Sequence, residues 1–443
     1  MRLLLSLTLA LFCSAAIWAQ PKQNSPYSRY GIGDPMRQYF AHAAGYGGQS
    51  AAFHDPFHLN LVNPASYAHL RSTALEVGLF SKYSQYQSAS ASQNVWSGNL
   101  AYLALGFTLK SPINEVLDRQ KSPWTYGMGF ALTPYSLVGY NIQTQDTLPD
   151  LGAVANSFVG NGGSYRLTWS NAAKYKNTSV GANIGWMFGK TIYENTTIFT
   201  DSFQITYQDN FRDDIQLGGL VWAAGVQHDF VLQRFDDKTT PKRWITLGLN
   251  GEGKHKLRTV ADIFRIRSRG RLSNGAYADA DTLRQSVGVR QTLTLPAAFS
   301  LGLQYVNSAK FKVGAQIGLE NWSEYRNEAR PETFRNTLSL SGGFEYIPDY
   351  ISYNRFWKRV RYRAGLYYRQ DPRSAAGQDL DDFGLTFGFG LPVTLPRQQT
   401  SFVNAAFELG KIGANSPIEE TYIRMTLGFT LNDNTWFFKR RFE

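Results

Sequence analysis

Long runs of strict period-two alternation mark this chain. From Tyr422 to Leu431, Ile423, Met425, Leu427, Phe429 and Leu431 fall on one side, and Arg424, Thr426, Gly428 and Thr430 on the other. Lys310–Glu320 sets Phe311, Val313, Ala315, Ile317 and Leu319 against Lys312, Gly314, Gln316, Gly318 and Glu320. Phe383–Leu391 and Val360–Arg369 read the same way. Successive side chains of a strand point to opposite faces, so each run predicts a strand with one apolar face and one polar or small face. The runs extend over about 10 to 13 residues, longer than an ordinary strand. Aromatic residues gather near their ends: Tyr83, Trp96, Trp124, Tyr135, Trp244, Trp322 and Trp436–Phe438. Continuous apolar faces between aromatic girdles describe a surface that meets lipid. A soluble β-sandwich needs neither feature. The expected fold class is all-β, a 14-stranded antiparallel transmembrane barrel, with 16 strands as the second choice.

Fourteen strands are expected at 73–84, 96–109, 124–134, 164–175, 178–190, 215–232, 243–254, 295–306, 310–321, 334–346, 358–369, 382–392, 400–410 and 421–432. An even number suits a single-chain bacterial barrel. Residues 191–214 and 255–294 have room for further paired strand. Short connections, such as Lys176-Asn177 and Val306–Ala309, contrast with long ones at 135–163, 191–214 and 255–294. Short turns face the periplasm in such barrels. The expected location is therefore the outer membrane, with both termini periplasmic.

Composition narrows the class. The 443 residues are 43% hydrophobic, 14% aromatic and 18% charged, which excludes a disordered chain. Beyond the N-terminus no run of roughly 18 apolar residues is present, so membrane-spanning helices are excluded. Residues 1–19 read as an export signal: Arg2, then the apolar Leu3–Phe12, then Ala15, Ala16 and Ala19 before cleavage. The only cysteine, Cys13, leaves with it, and Phe12 before it lacks the small side chain of a lipoprotein site. The mature chain then has no thiol for disulfides, zinc–thiolate sites or nucleophilic catalysis. It keeps 44 basic against 34 acidic residues. In an exported protein that excess points to outer-membrane lipid and lipopolysaccharide as partners, and not to nucleic acid.

Residues 20–72 do not alternate, yet they carry too many aromatics for a disordered leader. A fourteen-stranded barrel is too wide for its own side chains to fill. The segment 20–72 is therefore expected to fold inward as a plug, with 73–443 forming the barrel. The predicted lumen face carries Arg166, Lys312, Arg361, Arg363, Arg369 and Arg424, with Glu320, Glu345 and Glu408. Arg363 and Arg424, deep inside their strands, are the first candidates to hold the carboxylate of an amphipathic ligand, with Lys312 and Arg361 beside them. The alternative is that these charges pair with one another or with the plug. His42, His54, His58 and His69 lie in the plug. His54, Asp55 and His58 have metal-binding chemistry, but Pro56 breaks any helical spacing and no metal is expected. Neither G-x-S-x-G nor a Walker A loop occurs, so no enzyme activity and no cofactor are expected. Gly160-Asn161-Gly162-Gly163 reads as the loop before the fourth strand, and His228 has no evident partner. Pro134-Tyr135-Ser136 closes the third strand, either as a break with a purpose or as a plain strand end.

The Asn63-Pro64-Ala65 turn before the first strand, the Gly/Ala-rich Ala41–Ala52 and the fourteen-strand pattern resemble the FadL-type family of hydrophobic-compound transporters. The opening Ser25–Asp34, the stretch Pro134–Tyr140 and the ending Thr426–Leu431 resemble its relatives in Bacteroidota. The resemblance implies an N-terminal hatch, with Asn63, Pro64 and Ala65 as its motif. It also implies a route for apolar molecules with lateral exit into the bilayer. Some relatives of this shape instead serve type IX secretion or sit as accessory barrels in larger assemblies. Two functions stand: passive uptake of a hydrophobic or amphipathic small molecule, or a non-transport accessory barrel with protein partners in an outer-membrane complex of the secretion or assembly machinery. The basic Arg265–Arg271 and acidic Asp379–Asp382 stretches fit poorly with a greasy capture groove.

Overall fold

A computed structural model describes residues 23–89, 91–110, 122–148, 152–199, 207–236, 240–271, 277–308, 310–375, 377–394, 399–414 and 416–434. The export signal at 1–19 and the aromatic Trp436–Phe438 lie outside these residues.

Sixteen long strands follow in order: β1 (Thr73–Ser88), β2 (Ser92–Thr108), β3 (Trp124–Leu148), β4 (Gly152–Tyr175), β5 (Thr178–Phe199), β6 (Gln208–Arg234), β7 (Pro241–Glu252), β8 (His255–Ser268), β9 (Asp281–Leu295), β10 (Ala298–Asn307), β11 (Phe311–Glu320), β12 (Thr337–Tyr346), β13 (Arg361–Ala375), β14 (Gln378–Thr394), β15 (Thr400–Ile412) and β16 (Ile418–Asp433). Fourteen form the closed antiparallel wall expected from the sequence, and all fourteen expected segments are among them. The ring closes where β1 pairs with β16, from Thr73 opposite Asp433 to Ser88 opposite Ile418. Closure is what lipid demands, because no water is present there to satisfy a free strand edge. Phe383, Leu385, Phe387 and Phe389 of β14 are exposed, while Thr386 and Gly388 between them are buried. The outward apolar face and the inward polar face are those the alternation predicts.

The two strands outside the ring, β8 and β9, form a hairpin in the region expected to be a long loop. It lies on the outer half of β6, from Gly218 opposite Arg258 to Gln208 opposite Ser268, while the other half of β6 pairs with β7. The other long connections are also paired. β3 and β4 run together to Leu148 opposite Gly152, and β5 with β6 to Thr197 opposite Asp209. Gly160–Gly163 is thus strand and not loop, with Asn161 opposite Gly139. The alternation fades there for a physical reason. A membrane-spanning strand needs about 9–11 residues, and these strands reach 27. Beyond the bilayer both faces of the wall meet water, so the backbone ladder persists without an apolar face.

One seam departs from this regularity. β2 and β3 pair only from Leu103 opposite Leu132 to Thr108 opposite Gly127. At Pro134 the β3 register shifts, and Leu137 and Val138 are then both buried. Burial of two successive residues means that β3 has turned into the lumen. The Pro134-Tyr135-Ser136 stretch is therefore a break in the ladder and not a plain strand end.

Candidate functional site in the barrel lumen

Residues 23–72 lie against the inner faces of strands all around the ring, and backbone approach makes the fit. A Cβ at Gly388 of β14 would stand 2.8 Å from Gly45 Cα, and one at Gly365 of β13 2.4 Å from Gly47 N. On the far side, one at Gly181 of β5 would meet Pro64 at 2.5 Å, and one at Gly248 of β7 would meet the Ala51 carbonyl at 2.0 Å. Side chains at these wall positions would exclude the segment. Gly47 itself adopts φ 74°, a conformation costly for any other residue. Polar wall groups satisfy the segment's backbone. Gln316 Oε1 accepts from Ser50 N and Ala51 N at 2.8 and 2.9 Å, and Thr386 Oγ1 accepts from Gly47 N at 3.0 Å.

The Asn63-Pro64-Ala65 turn is one of these docking points. Asn63 caps a short 3₁₀ turn over Pro64–His69, its side-chain oxygen accepting from Ala65 N at 3.1 Å. Its amide donates to the Ala51 carbonyl at 2.6 Å.

Three of the four proposed ligand-binding cations converge on two neighbouring carboxylates, Asp55 and Glu345. Asp55 accepts from Arg361 Nη1 at 2.8 Å and Lys312 Nζ at 3.1 Å. Lys312 also pairs with Glu345 at 3.2 Å, and Arg363 Nε donates to Glu345 at 2.7 Å. Arg363 Nη1 further donates to Asn404. Burial alone would raise the Asp55 pKa, but Arg361 and Lys312 hold it well below the usual carboxylate range. Arg424 lies elsewhere, its guanidinium 4.3 Å from the Phe80 ring and opposite Glu408 in the strand register. A second knot joins Arg37 of the segment to Asp382 at 3.0 Å and Glu408 at 3.6 Å, with Arg369 on the same Asp382. A third joins Arg373 to Asp34, Asp371 and the Tyr27 carbonyl. Arg166 pairs with Glu252 at 2.6 Å and donates to Gln38.

The segment's histidines group differently from the His54–Asp55–His58 set. His42 stacks on His58 with ring centroids 4.7 Å apart, beside Glu76, and His54 stacks on His69 at 3.7 Å, beside Asp229. A cation shared by two imidazoles must lie in the plane of both rings, and near-parallel stacked rings offer no such point. Lys174 already occupies the second group, 3.2 Å from His69 and 3.1 Å from Asp229. Burial pushes His42 down to about 3 and holds His58 and His69 well below the ordinary histidine value. His228, without a partner in the sequence reading, meets Thr178 Oγ1 at 2.8 Å.

A cavity of about 250 Å³ remains beside residues 35–39. Its walls include Arg166, Glu252, Glu320, Arg369 and Asp371. Small-molecule sites for apolar ligands are mostly apolar, and this one is crowded with charge. On the tall outer wall, the basic Arg265–Arg271 stretch is not a free patch either. Arg265 pairs with Asp213 at 2.6 Å and Arg267 with Asp209 at 2.8 Å. In the acidic stretch, Asp379 and Asp381 both pair with Arg335.

The family model that matches spans residues 1–443 and describes BamG. The chain belongs to the BamG family. This is a different family from the FadL type. No curated protein matches. Among solved structures, the barrel of this BamG-family chain is similar to the Ralstonia pickettii toluene transporter TbuX, at 13% identity and TM-score 0.54, covering 90% of this chain and 99% of that one. A Pseudomonas aeruginosa FadL homologue matches at 15% identity and TM-score 0.54, over 89% and 98% of the two chains. The P. putida toluene transporter TodX matches at 14% and 0.53, over 92% and 100%. At these identities the likeness establishes the FadL-type barrel fold alone and leaves function to the site.

Sequence reasoning placed the inward charges correctly by strand parity but missed Asp55 as the partner of Lys312 and Arg361. It also read the inward glycines only as a small face. Their recurrence was the available signal, since a face kept free of side chains leaves room for another backbone.

Proposed function

We propose that this BamG-family barrel is a sealed, non-conducting subunit of a multiprotein outer-membrane complex of the secretion or assembly machinery. In this reading residues 23–72 are a fixed plug, both termini are periplasmic, and lipid and lipopolysaccharide surround the wall. The observation that carries it is the Asp55 clamp, a buried carboxylate of the segment held by two cations from β11 and β13. A hatch that opened would strip that carboxylate from Arg361 and Lys312, and would also break the Arg37 and Arg373 knots. Breaking one buried pair costs about 3–5 kcal/mol, so opening through several at once is far too rare for a passive conduit. The charged cavity supports the same conclusion.

Uptake is the second reading, favoured by the incomplete β2–β3 seam, which would give an apolar molecule a lateral exit. One preparation separates the two. The tagged protein is isolated from its native membrane in mild detergent, and its co-purifying proteins, bound lipids and bilayer conductance are measured. The assembly reading expects stoichiometric protein partners, no lumenal apolar ligand and no conductance until residues 23–72 are deleted. A lone barrel carrying a defined fatty acid or hydrocarbon would overturn it.

A further inference from the structure

The β2–β3 seam leaves two strand edges, and they are treated differently. The β3 edge is satisfied from inside. Asp34 and Pro35 pair with Leu137 and Ser136. Ser25 N donates to the Gly139 carbonyl at 2.8 Å, Met36 N to the Tyr135 carbonyl at 2.9 Å, and Gln38 to the Pro134 carbonyl at 3.0 Å. These bonds hold β3 turned inward, so it does not return to β2 by default. Among the described residues, the β2 edge over Gln93–Ala101 has no such partner strand. Its other edge pairs with β1 from Ser92 opposite Gln87 to Leu100 opposite Leu79 and, past a bulge at Ala101, from Tyr102 opposite Gly78 to Gly106 opposite Ala74. One local substitute exists, Leu100 N donating to Asn99 Oδ1 at 2.8 Å.

Depth makes this edge informative. Trp96 is 54% exposed on the outward face and packs on Tyr83 with ring centroids 5.0 Å apart, as a girdle pair does. Residues 97–101 continue from that girdle toward Leu103, which is also exposed outward. They therefore lie at the level of the hydrocarbon, where unpaired backbone N–H and C=O groups are not tolerated. Acyl chains cannot pair with them, and a helix has already used its own backbone groups. An extended strand supplies donors and acceptors at the required spacing.

We propose that Gln93–Ala101 of β2 is a docking edge for one extended strand of a partner protein, which completes the wall where β3 leaves it. The proposal rests on the assembly reading above and names the surface that reading needs. The incoming strand carries apolar residues in the lipid-facing row of Trp96 and Leu103, and small residues in the inward row of Ser97.

Amide hydrogen exchange over residues 93–101 tests it, comparing the native complex with the barrel stripped of partners, both in the same detergent. In the barrel alone, every second amide should exchange quickly. In the complex those amides should slow by about tenfold or more, while their β1-paired neighbours stay slow in both. Proline at Ser97 and at Gly98 sharpens the result, since their N–H groups face opposite edges. The variant that loses the free-edge N–H should fold, keep its heat-modifiable migration and lose the partner. Equal exchange in the two samples, with the partner present, would overturn the docking edge and leave the assembly reading standing. Slow exchange already in the barrel alone would also overturn it, because the seam would then be closed by the chain itself. Absence of any stoichiometric partner would sink the assembly reading first.

Discussion

On β10, neighbouring residues live in different worlds. Phe299, Leu301 and Leu303 turn outward, each about half exposed, while the adjacent Gly302 and Gln304 are buried against the segment that precedes the barrel. The outer row answers to a uniform solvent, so any large apolar side chain serves. The inner row answers to Ala51, Ala52 and Tyr46, some 250 residues away in the chain. The difference teaches that the wall is built to two standards, and that tight specification lies inside, where function has to be sought.

The largest test of that difference is Asp55→Ala. It would leave Arg361 without its carboxylate and Lys312 with Glu345 alone. Removing one member of a buried ion pair typically costs about 3–5 kcal/mol. The expected outcome is an inserted barrel whose residues 41–60 become open to protease, with a lowered transition temperature for release of the segment. A variant as protease-resistant as the parent would show that the clamp does not fix the segment.

Acid tests the same inner face. His42, His58 and His69 are buried, and each is held below its unfolded value near 6.5. The undocked segment therefore binds more protons than the docked one as pH falls from about 6.5 toward 3. Docking is fully stable above the unfolded value and weakens progressively on acidification. The depressed Asp55 acts in the same direction only below its unfolded value near 3.9. Protease sensitivity of residues 41–60 should rise between pH 6.5 and 5 and recover on neutralisation. The outer face carries no such groups on β10 and should show no change in strand exchange over that range.

These two faces also explain what the sequence made legible. All fourteen wall strands could be read, because lipid imposes one rule on every outward position. The inward row showed which charges point into the lumen but not what they meet. Arg363 and Arg361 sit two residues apart on one face, yet one binds Glu345 of the next strand and the other Asp55 of the N-terminal segment. No period in the chain encodes that choice. The stretches 135–163 and 255–294 read as loops because a wall above the bilayer has water on both faces and loses its alternation. Their pairing is carried by backbone groups, which every residue has.

The smallest effects are expected from the mildest substitutions, and Gly302 with Leu303 makes the cleanest pair. Both sit at the middle of β10, so depth, ladder and neighbours are shared. Leu303→Ala removes apolar atoms from a surface that meets hydrocarbon before and after the change. On an insertion scale a lipid-facing leucine is worth about 0.3–0.6 kcal/mol, so its unfolding midpoint should barely move. Gly302→Ala adds a single carbon, which would stand 2.9 Å from Ala52 N and 3.0 Å from Ala51 Cβ. Backbone on one side and a wall strand on the other leave little room to yield, and overpacking of this kind costs about 1–3 kcal/mol. Adding one methyl inside should therefore destabilise more than removing three carbons outside, read as midpoint shifts of the two inserted barrels in the same detergent. Equal shifts would mean that the inner contact is soft, and that the segment rests in the lumen without being fitted to it.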